Sequence, residues 1–181
     1  MTNRKNHICI VQMVNIALFA AIITVCSQIT IKLPTAVPVT LQTAGVCMAA
    51  ALLGPLGGTA SVAVYIMLGA FGLPVFSGFS GGIGHIYGPT GGFIMGFLPA
   101  AFVTGLIVRR YGAKLISLIP AMISGVAVCY LTGCLWYAVT TGVSLKATFL
   151  ACVFPFILPD AVKIVLSALV CRRLAKYIKK K

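Results

Sequence analysis

The sequence predicts an all-α integral membrane protein with six transmembrane helices in a single domain spanning residues 1–181, both termini cytoplasmic. Three observations carry that prediction. Of 181 residues, 60% are hydrophobic and 8% charged, where an average soluble domain is roughly a quarter charged, and the mean hydropathy is +1.10. Lys and Arg number 14 against one acidic residue. Eleven of those 14 fall in three short patches: Arg4 and Lys5; Arg109, Arg110 and Lys114; and Arg172, Arg173, Lys176, Lys179, Lys180 and Lys181. Basic residues concentrate in this way in the cytoplasmic loops of membrane proteins.

The composition excludes an ordinary soluble domain. A large positive charge in a soluble protein would suggest phosphate contacts with nucleic acid. Here the charge is confined to connections between apolar runs, so the expected partner is anionic membrane lipid and no nucleic acid. The seven cysteines, at 9, 26, 47, 129, 134, 152 and 171, form no CxxC pair and accompany no His cluster, so they read as packing residues and no metal is expected.

In chain order, span 1 covers about 8–31, too long an apolar run for a signal-peptide core. The segment 33–42 follows, with Pro34 and Pro38 disfavouring helix, and reads as an external loop that folds back on the protein. Spans 2 and 3, about 43–53 and 59–73, are separated by Gly54-Pro55-Leu56-Gly57-Gly58, a strong turn signal. Both are short for a bilayer that asks about 20 residues per helix. Seven glycines between 77 and 92 predict a loop with exposed backbone, since each glycine in a helix costs about 1 kcal/mol against alanine. Spans 4, 5 and 6 cover about 93–108, 115–139 and 147–171.

The chemistry concentrates in span 6, at Pro159-Asp160-Ala161-Val162-Lys163, where Asp160 is the only acid in the chain. An ionisable residue inside a membrane helix costs at least about 2.5 kcal/mol and marks a functional site by default. Residues three apart share a helix face, so Asp160 and Lys163 can neutralise each other or bracket one ligand. Pro155 and Pro159 predict a kink beside them. In the glycine-rich loop, Phe79 and Tyr87 offer apolar and stacking surface around Gly82. His85 reads as an incidental loop residue. The spacing Gly82-Ile83-Gly84-His85-Ile86-Tyr87-Gly88 misses a dinucleotide fingerprint, and no P-loop is present. In span 1, Ala17 and Ala21 form a small-xxx-small pair that lets another helix approach.

Several segments together resemble the BioY family: Pro38-Val39-Thr40-Leu41-Gln42-Thr43, Leu53-Gly54-Pro55, Gly69-Ala70-Phe71-Gly72-Leu73-Pro74-Val75-Phe76, Gly88-Pro89-Thr90-Gly91-Gly92-Phe93, and Pro159-Asp160-Ala161-Val162-Lys163. They occur in order across about residues 10–175. The resemblance implies a biotin-capturing S component of an energy-coupling factor (ECF) transporter in a prokaryotic cell membrane. It further implies a transmembrane scaffold protein and two cytoplasmic ATPases as partners, with Ala17 and Ala21 as the scaffold dock. On that resemblance Asp160, Lys163, Thr40, Gln42, Phe79, Gly82 and Tyr87 are the expected biotin contacts. No catalytic residue and no cofactor is implied, ATP being used by the partner subunits. Leu56 and Phe93 depart from the family pattern, which more often has a basic residue and a tyrosine there. The alternatives are an S component for another vitamin or a proton-coupled small-molecule transporter built on one intramembrane carboxylate; an enzyme would need more acid, base or nucleophile groups than this chain offers.

Overall fold

The computed structural model describes residues 2–31 and 37–178, with side chains for 10–31 and 37–175. It is almost entirely helical: α1 (Thr2–Gln28), α2 (Gln42–Ala70), α3 (Ile83–Tyr87), α4 (Gly91–Tyr111), α5 (Leu115–Thr141), α6 (Leu145–Cys152) and α7 (Ile157–Ile178), with two minimal strands, β1 (Thr30–Ile31) and β2 (Val39–Thr40), between α1 and α2. Among the described residues, five helical runs are long and apolar enough to cross a membrane: Ile10–Gln28, Gln42–Ala70, Gly91–Tyr111, Leu115–Thr141 and Leu145–Ala175.

The run α2 holds the segment expected as span 2 and that expected as span 3 up to Ala70, three residues short of its expected end, and it is not straight. Gly54 leaves the helical region at φ 77° and ψ −175°, with Pro55 starting the second arm. Glycine takes a positive φ without the Cβ clash other residues meet, and proline fits a first helical turn, where no N–H partner is needed. The chain reverses there. The Gln42 amide Nε2 donates to the Tyr65 hydroxyl at 2.8 Å, whereas 23 positions along one straight helix would separate them by about 34 Å. A Cβ on Gly58 would lie 2.5 Å from the Cα of Ala50, so the two arms touch backbone to backbone.

The expected external loop at 33–42 is seen only from residue 37 onward, and Lys32 lies outside the described residues. What is seen folds back, as expected: β2 pairs antiparallel with β1, Thr30 facing Thr40 and Ile31 facing Val39. The glycine-rich stretch carries a feature the sequence reading missed, the short helix α3. The region expected as one continuous span 6 is broken. α6 ends at Cys152, a 3-10 turn covers Phe154–Phe156, and α7 starts at Ile157. Pro155 sits in that turn, and Pro159 occupies the first turn of α7, the part of a helix where proline is tolerated.

α4 packs between α2 and α5, α1 lies on α2, and α7 lies on α2 and α5. Lipid offers no hydrophobic drive for helices to associate, so close approach through small residues takes its place. Gly125 of α5 illustrates this: a Cβ there would sit 2.9 Å from the Ala100 carbonyl oxygen of α4. The C-terminal ends of α4 and α7 and the start of α5 carry Arg109, Arg110, Lys114, Arg172 and Arg173, defining a basic end of the bundle. The turn at Gly54 borders the same end, sharing with Arg109 and Ala175 a wide cleft also lined by Gln12 and Asn15.

Candidate ligand-binding site

At the opposite end of the bundle, a cavity of about 230 Å³ is enclosed by the beginnings of α2, α4 and α7, the middle of α5, the segment 37–40 and the loop before α3. Its polar wall is built from α7 and α5. Asp160 lies in the first turn of α7, where unpaired backbone N–H groups favour a negative charge. Lys163, one turn on, donates from Nζ to Asp160 Oδ1 at 2.6 Å. From α5, the Tyr130 hydroxyl donates to Asp160 Oδ2 at 2.5 Å. Asp160 and Lys163 are buried, at 4% and 8% exposure, so removing either leaves an uncompensated charge.

The three groups keep capacity for a ligand. A carboxylate has about four acceptor positions and an ammonium three donors, so Asp160 can accept further N–H bonds and Lys163 can donate two more. Thr40 and Gln42 also line the cavity, Gln42 held in place by Tyr65. Four of the seven expected contacts, Asp160, Lys163, Thr40 and Gln42, therefore converge on one space.

The remaining three do not. Phe79 and Tyr87 are exposed, at 72% and 69%, and neither they nor Gly82 line the cavity. Two glycines of this stretch, Gly81 and Gly91, are required by the chain's own packing. A Cβ on Gly81 would strike the Leu73 carbonyl oxygen and one on Gly91 the Ile86 carbonyl. The loop instead contributes Phe76, Ser77, Ser80 and His85 to the wall. His85, expected to be incidental, stands edge-on to Phe76 with ring centroids 6.2 Å apart.

Sequence reasoning also passed over Tyr130 and Thr43. Tyr130 reaches Asp160 from a helix 30 positions earlier, and nothing local marks it. Thr43 borders the cavity, and its hydroxyl is buried without a hydrogen-bond partner among the described residues. Such an orphan costs about 1–3 kcal/mol; its place beside Thr40 and Gln42 was the available signal. Phe93 supplies apolar wall where a tyrosine would add a hydroxyl.

The apolar helical bundle and its ion-paired cavity define a multi-pass membrane protein with a cavity sized for a small organic molecule between its helices. The BioY family model matches residues 1–180, and the chain belongs to the BioY family. It is 42% identical over 159 residues to a probable biotin transporter BioY of Pyrococcus horikoshii, covering 88% of this chain and 93% of that one. With the biotin transporter BioY of Rhodobacter capsulatus it shares 41% identity over 174 residues, 90% and 92% of the two chains. A crystal structure of the S-component for biotin from an ECF-type ABC transporter superposes with a TM-score of 0.88 at 28% identity, covering 97% of this chain and 95% of that one. These relatives are named as transporters rather than enzymes.

Proposed function

We propose that this chain captures biotin from outside a prokaryotic cell as the S subunit of an ECF-type transporter. The observation that carries the reading is the buried Asp160–Lys163 pair, bonded by the half-buried Tyr130, facing a cavity of about 230 Å³. Biotin presents a ureido ring that donates and accepts, an apolar thioether ring and a carboxylate. In this reading Asp160 accepts from a ureido N–H, Lys163 donates to the ureido oxygen or the carboxylate, and Thr40, Gln42 and Thr43 complete the polar wall. Phe93, Phe97 and Phe156 enclose the thioether ring. Phe79, Gly82 and Tyr87 stay in the proposal only as contacts that a ligand-bound rearrangement of the loop would have to bring in.

The proposed topology has six spans with both termini inside, counting the two arms of α2 separately and α6 with α7 as one. Under the positive-inside rule the basic end faces the cytoplasm and the cavity opens outward. Ala17 and Ala21 are exposed on α1, which suits docking of a scaffold protein that would couple this subunit to two ATPases. No cofactor is proposed for the chain itself.

The test is isothermal titration of the purified protein with biotin, thiamine and riboflavin at pH 7. One-to-one binding of biotin alone, with nanomolar affinity, is expected. Absence of biotin binding by folded protein overturns the assigned cargo.

A further inference from the structure

The strongest polar node outside the cavity is Gln28, the last residue of α1. Its Nε2 lies 3.2 Å from the carbonyl oxygens of both Val75 and Phe76, and its Oε1 accepts from the Phe79 backbone N–H at 2.9 Å. One side chain thus satisfies donors and acceptors 47 to 51 positions away. Two neighbours reinforce it: Ser27 donates to the Val75 carbonyl at 2.5 Å, and the Thr30 hydroxyl lies 2.9 Å from that of Ser77. The segment gripped in this way is the one that puts Phe76, Ser77 and Ser80 into the cavity wall.

Val75 and Phe76 anchor the start of that segment in the core, while its tip at Gly78 and Phe79 is exposed. Phe76 and Ser80 close a tight turn on themselves through two backbone bonds, and Phe79 inside it adopts φ 57°, the left-handed region that non-glycine residues seldom occupy. A non-glycine residue keeps such a conformation only where its surroundings impose it, and the bond that fixes Phe79 is the one from its N–H to Gln28. An amide suits the position because it alone donates to the carbonyls and accepts from the N–H at once.

We infer that Gln28 is a positioning residue for ligand binding: it touches no ligand, but its amide holds the 75–80 turn in the shape that closes the cavity. The ligand named in the test rests on the biotin reading; the wall it would close does not. Losing the amide frees the turn, so a bound ligand escapes faster while its entry is little changed.

The experiment compares wild type with Gln28→Met, similar in length but unable to make either bond, and Gln28→Glu, which keeps the acceptor while opposing the two carbonyls. Hydrogen exchange of the ligand-free proteins and stopped-flow biotin kinetics are read together. Expected in both variants are exchange at residues 76–80 faster by about tenfold or more, unchanged exchange in α4 and α5, and biotin dissociation faster by about tenfold with association within about threefold. Unchanged exchange at 76–80 would overturn the proposal. So would faster exchange with unaltered dissociation, or faster exchange spread evenly over the bundle, which marks a purely structural role. If wild type binds no biotin, the cargo is wrong; the positioning role is then decided by the exchange data alone.

Discussion

Asp160 carries three relations at once: it ends a pair with Lys163, accepts from Tyr130, and faces the cavity. Tyr130→Phe removes one charge-assisted hydrogen bond, worth about 1.5–3 kcal/mol, and is expected to weaken biotin binding by about tenfold or more in titration calorimetry. Asp160→Asn or Lys163→Ala alone should lower thermal stability as well as binding, because each strands a buried partner. The double variant Asp160→Asn with Lys163→Met should regain much of that stability, measured by thermal unfolding, without regaining biotin affinity. A double variant that binds as wild type would show that the pair serves packing alone. The pair was legible because a lone acid three positions from a lysine in an apolar run admits few readings. Tyr130 and His85 were not, since their places at the cavity arise where separate elements meet and leave no periodic trace in the sequence, and Thr43 had only its place beside Thr40 and Gln42 as a signal.

At the scale of elements, the breaks are where the chain does its specific work. The reversal at Gly54 was announced by Gly54-Pro55 and two further glycines, all local backbone chemistry. Gly54→Ala imposes on a residue with a Cβ a positive-φ extended conformation that is essentially glycine-only, at a cost of about 1–3 kcal/mol, and is expected to lower the melting temperature while leaving biotin affinity near wild type. The division of α6 from α7 was only half legible. Pro155 and Pro159 marked a kink, but not the 3-10 turn at Phe154–Phe156, with Phe156 buried, that precedes the helix start at which Asp160 lies. The β1–β2 pair and α3 went unforeseen because elements of two and five residues are too short to show a period and are held by what surrounds them.

Over the whole molecule, polarity is divided between two ends: basic side chains at one, the cavity at the other. Single-cysteine labelling in intact cells is expected to find residues near Arg109 and Arg172 shielded from impermeant reagents and residues near Val143 accessible to them. The reverse result would invert the topology. Enlarging the exposed small face of α1 with Ala17→Leu and Ala21→Leu should abolish ATP-dependent uptake in cells while the purified protein still binds biotin. Composition alone made the membrane class legible, and the order of short motifs made the family legible. The path of the chain between residues 42 and 70 was legible through the Gly54-Pro55 turn signal rather than through length and hydropathy, which do not distinguish one long crossing from two short ones.

That hairpin has a consequence for how the protein is made. At 1.5 Å per residue its arms, 42–53 and 55–70, rise only about 18 Å and 24 Å, short of the roughly 30 Å hydrocarbon core. Neither arm is a good candidate to leave the translocation channel by itself, and the first ends in a glycine and proline that stop a helix. On the proposed topology they partition into lipid as one preassembled unit, the second arm emerging from the ribosome before the first is released. An arrest-peptide force profile recorded during synthesis should then show a single pull for residues 42–70, where two independent insertions would give two.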